Sequence, residues 1–311
     1  MSNMDNAAVP SGGAVLTGGP ATAADPGGQA PPAVTQWRRT LRRLLRRKMA
    51  VAGAVLVVLF LLVALIGPLI TGSQTRLGLT DILAGPSGAH PLGTDDLGRD
   101  VLARLTGGAR VSLLAGVVST ALALAVGIPL GLAAGYYRGW TDSVLMRITD
   151  LVLSFPYLVF AVGMAAILGP SLRNVIIALA VAEVPSVVRI VRGETLVLRG
   201  QDFVAAAVAD GARDAAIMWR AILPNMTNTL IVKATVAIPA GILGEAALSF
   251  LGLGVQPPQA SWGVMLTSAQ QFLAQDPLLA VFPGVAIALT TLGFNLLGDG
   301  LRDVLDPREL M

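Results

Sequence analysis

Long apolar runs alternate with shorter polar connections along this chain, and the runs set its architecture. Six of them reach the length at which a helix, rising 1.5 Å per residue, crosses a hydrocarbon core of about 30 Å. They cover approximately residues 49–70, 111–136, 144–168, 174–191, 228–251 and 278–297. Glu183 and Pro185 interrupt the fourth run, so a break is expected there. The pattern predicts an all-α fold: a polytopic membrane protein with six transmembrane helices. The fourth and fifth runs are separated by a polar, helix-prone insert, residues 200–225. Asp202 is a candidate N-cap, and the Ala-rich stretch 203–209 favours helix. Gly211 predicts a break, and a second helical run over 213–223 is expected to stop before Pro224.

Composition agrees with the runs. Of 311 residues, 54% are hydrophobic and only 13% charged, with mean hydropathy +0.71. A soluble domain carries about 25% charge. The first 35 residues are rich in Gly, Pro, Ala and Ser and are expected to form a disordered tail. Residues 36–48 are expected to form a basic amphipathic helix on the membrane surface, near anionic lipid. The remaining residues, 49–311, make the membrane domain. Seven of the 22 Lys and Arg residues fall in that short basic stretch, which accounts for much of the high pI. No basic face interleaved with aromatics occurs, so nucleic acid is not an expected partner.

The basic residues also orient the chain. The run from Arg38 to Lys48 places the N-terminus in the cytoplasm, and alternation puts Arg138, Arg147, Arg199, Arg213 and Arg220 on the same side. Arg302 and Arg308 then mark a cytoplasmic C-terminus. Residues 252–277 contain no Lys or Arg and fall outside. The first outer loop carries Arg76, Arg99 and Arg104, offset by Asp81, Asp95, Asp96 and Asp100. The 200–225 insert accordingly faces the cytoplasm.

Catalytic chemistry is not provided for. The chain has no Cys, one His (His90) and two lysines, Lys48 and Lys233, neither in a Walker A context. No metal-ligand cluster, nucleophile or carboxylate pair stands out. Glu245 lies well inside the fifth run, where an ionisable group needs a cavity or a partner. It is a candidate for the pathway or its gate; a packed, hydrogen-bonded carboxyl between helices is the favoured alternative. In the stretch 93–100, Thr94 or Asp95 is expected to cap a helix starting near Leu97, with Arg99 and Asp100 pairing at the outer surface. Gly252, Gly254, Pro257 and Pro258 end the fifth helix, and Trp262 suits a membrane interface, with a re-entrant element over 262–272.

Four stretches together resemble one family. Ala206, Ala207, Gly211 and Ile222-Leu223-Pro224 are similar to the cytoplasmic Glu-Ala-Ala signature of permease subunits of bacterial ATP-binding-cassette importers, with Ala205 where the family has Glu. HPLGTDDLGRDVLARLTGGARVSL (90–113), GEAALSFLGLGVQPPQASWG (244–263) and FPGVAIALTTLGFNLLGDGLRDVLDPR (282–308) resemble the C-type permeases of dipeptide, oligopeptide and nickel importers. The resemblance implies a coupling helix that docks into an ATPase groove, carried by Phe203, Ala205, Ala206, Ala207, Asp210, Gly211 and Pro224. It also implies the partners: a homologous sibling permease, two ATPase subunits that bind the ATP and Mg, and an extracytoplasmic substrate-binding protein. The chain itself would hold no cofactor, and it would reside in the bacterial inner membrane. Peptides are the preferred solute over nickel. An autonomous secondary transporter is the rival class, and it would call for paired charges at mid-membrane and internal repeats.

Overall fold

A computed structural model describes residues 44–78 and 80–305. The tail 1–35, most of the basic stretch 36–48, and Arg308 lie outside them. Among the described residues no strand forms; Thr94 and Asp100 make an isolated bridge, and the remainder is helix and connection.

Helix α1 (Lys48–Thr71) is apolar on nearly every side. Helix α2 (Val101–Tyr137) is far longer than its apolar run, beginning ten residues before Val111. Its cap is Asp100, whose carboxylate accepts the Ala103 N–H at 2.8 Å. The expected cap at Thr94 or Asp95, with a helix from Leu97, is therefore corrected. Thr94 is committed to the Asp81 carbonyl; Asp95 does accept the Leu97 and Arg99 backbone N–H groups, at 3.0 and 2.9 Å, but they close a turn and not a helix, and its other oxygen meets Arg99. Asp100 also meets Nδ1 of His90 at 2.8 Å, which ties the loop to the start of α2.

The third apolar run is not one straight span. It divides into α3 (Gly139–Leu153) and α4 (Tyr157–Leu168), bent by 89°. Pro156 has no N–H to continue the ladder and keeps Phe155 out of the helical region. At 12 residues, α4 is about 18 Å long and cannot cross a bilayer alone. The fourth run shows the converse. Helix α5 (Leu172–Leu198) passes unbroken through Glu183 and Pro185, so the expected break is absent. Packing offsets the cost of Pro185: α2 lies along α5. A Cβ added at Gly127, Gly131 or Gly135 would come within 2.6 Å of Val187, Val191 or Thr195, respectively. This small-residue stripe at four-residue spacing lets the two backbones approach closely.

The insert follows, then α9 (Thr227–Phe250), α10 (Trp262–Gln270) and α11 (Leu278–Leu305). Helices α1, α2, α5, α9 and α11 are each long and apolar enough to span a bilayer, and the bent α3–α4 pair brings the described residues to at most six spans. Gly252, with φ +78°, ends α9 as expected. Trp262 does not sit at an interface. It is fully buried against Phe60 in an edge-to-face pair, with its indole N–H donated to the Leu105 carbonyl at 3.1 Å. The main apolar core joins α1, α2, α9, α10 and α11 around this Trp. A second core, built from Leu132, Val187, Val191, Ile217 and Ile222, sits beneath the insert.

Candidate functional site

The insert is built from local signals. Helix α6 (Asp202–Ala209) begins after Gln201, whose extended backbone makes it the N-cap; Asp202 is the first helical residue, not the cap. At the other end Asp210 closes the helix and Gly211 turns left-handed at φ +75°. The Gly211 N–H donates to the Val208 carbonyl at 3.0 Å and the Ala212 N–H to the Ala207 carbonyl at 3.1 Å. These two bonds are the Schellman closure, and its left-handed position favours Gly because it has no Cβ.

The return leg is α7 (Asp214–Ala216), a π-helical segment Ile217–Ile222, and α8 (Leu223–Asn225). The helical run does not stop before Pro224, which sits in the first turn of α8. The π segment explains this: widening the turn moves the preceding carbonyl off the proline ring and removes the need for its missing N–H.

Side chains divide the insert into an anchored face and an open one. Val204 is buried and Ala207 half-buried against the second core, and Ile217, Met218, Ile222 and Met226 bury beneath them. Tyr136, at the end of α2, holds the return leg. Its hydroxyl donates to the Asp214 carboxylate at 3.0 Å, and the Arg199 guanidinium lies 5.4 Å from its ring centre. The open face carries Asp202, Ala205, Ala206 and Ala209, all exposed. Phe203 is 38% exposed, Val208 56% and, on the return leg, Trp219 49%. Asp210, Gly211 and Pro224 are exposed as well. Seven of the eight residues of α6 are apolar, yet only Val204 is buried. The result is an apolar helix held out of its own core.

Glu245 belongs to a different place. It lies 18 residues along α9 from Thr227, about 27 Å by helical rise. Its carboxyl is wholly buried between α2 and α9 and accepts from Ser112 at 2.8 Å and Ser249 at 2.7 Å. Ser112 Oγ in turn accepts the Trp262 backbone N–H at 3.3 Å, so the carboxyl is part of a knot that fastens α10 to α2 and α9. Before α2, Asp95 pairs with Arg99 at 2.7 Å and with Arg104, in the first turn of α2, at 3.2 Å. All three are buried, not at the surface where Arg99 was expected to pair.

A third polar set joins α5 to α9. Lys233 Nζ lies 2.5 Å from Glu183 and donates to Ser186 Oγ at 2.8 Å. Nearer the insert, Thr229 donates to Glu194 at 3.1 Å.

Residues 127–310 match the family described as binding-protein-dependent transport system inner membrane component. Residues 35–86 match the N-terminal transmembrane domain of oligopeptide transport permease C. The dipeptide transport system permease protein DppC of Alkalihalophilus pseudofirmus is 44% identical over 277 residues, covering 89% of this chain and 91% of its own. The chain belongs to the permease family of the peptide and nickel ATP-binding-cassette importers. The glutathione transport system permease protein GsiD of Pectobacterium atrosepticum is 42% identical over 276 residues, 88% of this permease and 92% of its own length. Its counterpart from Escherichia coli O6:K15:H31 is 44% identical over 276 residues, with 88% and 91% covered.

Within the permease, the structure brings Phe203, Ala205, Ala206, Ala207, Asp210 and Gly211 together on one short arm and leaves Glu245 remote from it. Pro224 stands on the return leg. Sequence reasoning missed Tyr136 and the Glu183–Lys233 pair. A Lys in an apolar run was a usable signal for the second; its partner 50 residues away was not.

Proposed function

We propose that this permease is one half of the translocation pathway of an ATP-driven importer for di- or oligopeptides, and that α6 is its coupling helix. The observation that carries this is the exposed apolar outer face of α6, fixed from beneath by Val204 and Ala207. Such an arm transmits force, because the anchored face moves with the outer one. The partners are a homologous permease, two ATPase subunits that bind ATP and Mg, and an external binding protein that delivers solute. The insert and both termini face the cytoplasm, across the inner membrane. ATP binding draws the ATPases together and moves α6; the displacement tilts α5 and α9 and opens the cavity outward, and hydrolysis resets it.

Ala205 leaves the docking face without the family's Glu. Asp202 stands three residues earlier on the same stripe and offers a carboxylate to a partner cation. Peptide as the solute is supported by the relatives, which are named for dipeptide and glutathione transport.

The test is uptake of labelled alanyl-alanine into vesicles holding the full complex, with binding protein at the substrate-receiving face and ATP on the ATPase side. Uptake that requires both ATP and the ATPase subunits is expected. Uptake by the permease alone, driven by an ion gradient, would establish the rival secondary transporter.

A further inference from the structure

We infer that Glu183, Ser186 and Lys233 are positioning residues of the transport cycle, which bind α5 to α9 so that the two legs of the insert carry its displacement into the membrane as one body. This rests on the importer reading above. The insert is the covalent link between these two helices: α5 ends at Leu198 and α9 begins at Thr227. Next to the insert, Leu198 of α5 and Leu230 of α9 pack against the same apolar cluster. Farther along, Leu179 of α5 and Leu248 of α9 are buried in another shared apolar cluster. Between these layers lies Lys233, 2.5 Å from Glu183 and 2.8 Å from Ser186, with the Lys and Glu side chains each only 14% exposed.

The two kinds of contact resist motion differently. In a bilayer helices are held by packing and not by a hydrophobic force, so apolar layers fix their axial alignment weakly. An ion pair in a poorly hydrated seam depends steeply on distance, and separating it strands two charges away from water. An apolar pair of similar volume would hold the helices at least as tightly, so what the charges add is register. The Glu183–Lys233 contact fixes one axial alignment of α5 and α9. A push on the insert then cannot be dissipated by its legs shearing past each other. Thr229 and Glu194 form a second rung closer to the insert.

The chain has no Cys, so a single probe reports this directly. Val236 lies three residues beyond Lys233 on α9 and is 49% exposed. Val236→Cys, in the full complex in vesicles, is labelled with a water-soluble maleimide with and without ATP. In the otherwise unaltered complex ATP should change the labelling rate about tenfold. Lys233→Met should reduce that response to under about twofold while ATP hydrolysis continues. The charge-exchanged double variant, Glu183→Lys with Lys233→Glu, should restore it. A merely structural role would leave the ATP response intact in every variant that assembles.

A full ATP response in Lys233→Met overturns the inference, as does an exchanged pair that assembles but stays unresponsive. If Lys233→Met does not assemble, Glu183→Gln and the exchanged pair decide by the same criteria. No response in the unaltered complex, with hydrolysis proceeding, overturns the inference and leaves the importer reading standing. Failure of the ATPase subunits to co-purify with the unaltered permease removes both.

Discussion

Gly211 and Tyr136 define the insert at the scale of single residues. Gly211 occupies a left-handed position and donates its N–H to Val208, so Pro there meets the wrong φ and has no donor. Gly211→Pro should leave membrane insertion intact and cut uptake per ATP hydrolysed by about tenfold or more, in line with coupling energies of 1–3 kcal/mol. Normal uptake by this variant would count against the coupling role. Tyr136→Phe removes one hydrogen bond, to Asp214, and keeps the ring beneath Arg199. The loss of about 1 kcal/mol should speed limited proteolysis of the insert roughly fivefold. Single residues were also where sequence reading was weakest. Asp95, Thr94 and Asp100 are all good caps, and the sequence does not show which of them starts a helix: Asp95 accepts the Leu97 and Arg99 N–H groups of a turn while its other oxygen meets the buried Arg99 and Arg104, and Asp100 caps α2. Glu183 reads locally as a helix interruption because Lys233 is remote in sequence.

Among elements, the contrast between Pro156 and Pro185 is instructive. Both sit in apolar runs, but the chain turns by 89° at the first and passes straight through the second. The difference is tertiary: α5 is sealed along α2 by Gly127, Gly131 and Gly135, and no such stripe flanks the α3–α4 junction. Hydrophobic runs therefore located the spans, while their continuity depended on neighbours. The stripe itself is testable. Gly131→Ala places a methyl 2.6 Å from the Val191 Cβ, and overpacking of this kind costs about 1–3 kcal/mol. The purified permease should unfold several degrees lower, whereas Ala at Gly163, which faces open space, should not lower it. On α6 the expected effect falls on binding, not stability. Phe203→Ser and Asp202→Asn alter exposed side chains, so each should weaken ATPase co-purification without changing the yield of permease. For Asp202→Asn the change is on the order of 1 kcal/mol or less.

For the whole molecule, the insert and the Glu245–Trp262 knot stand far apart on the same long helices, α2 and α9. One end is fastened by buried hydrogen bonds and ion pairs; the other presents an open apolar arm. In the proposed cycle the open arm takes up the partner's motion and the long helices carry it to the far end. The all-α membrane architecture and the insert were legible from hydropathy and from Gly and Pro placement. The buried position of Trp262 was not, because an aromatic beside a Gly-Pro turn reads equally as an interface anchor. The most direct measurement uses a Cys-free chain. Ala209→Cys, on the open face of α6, is paired with a Cys in the docking groove of the partner ATPase, and disulfide formation in membranes is followed with and without ATP. A specific crosslink whose yield changes with nucleotide is the expected result. Absence of crosslinking from every position between Phe203 and Asp214, in a correctly inserted permease, would contradict α6 as the coupling helix.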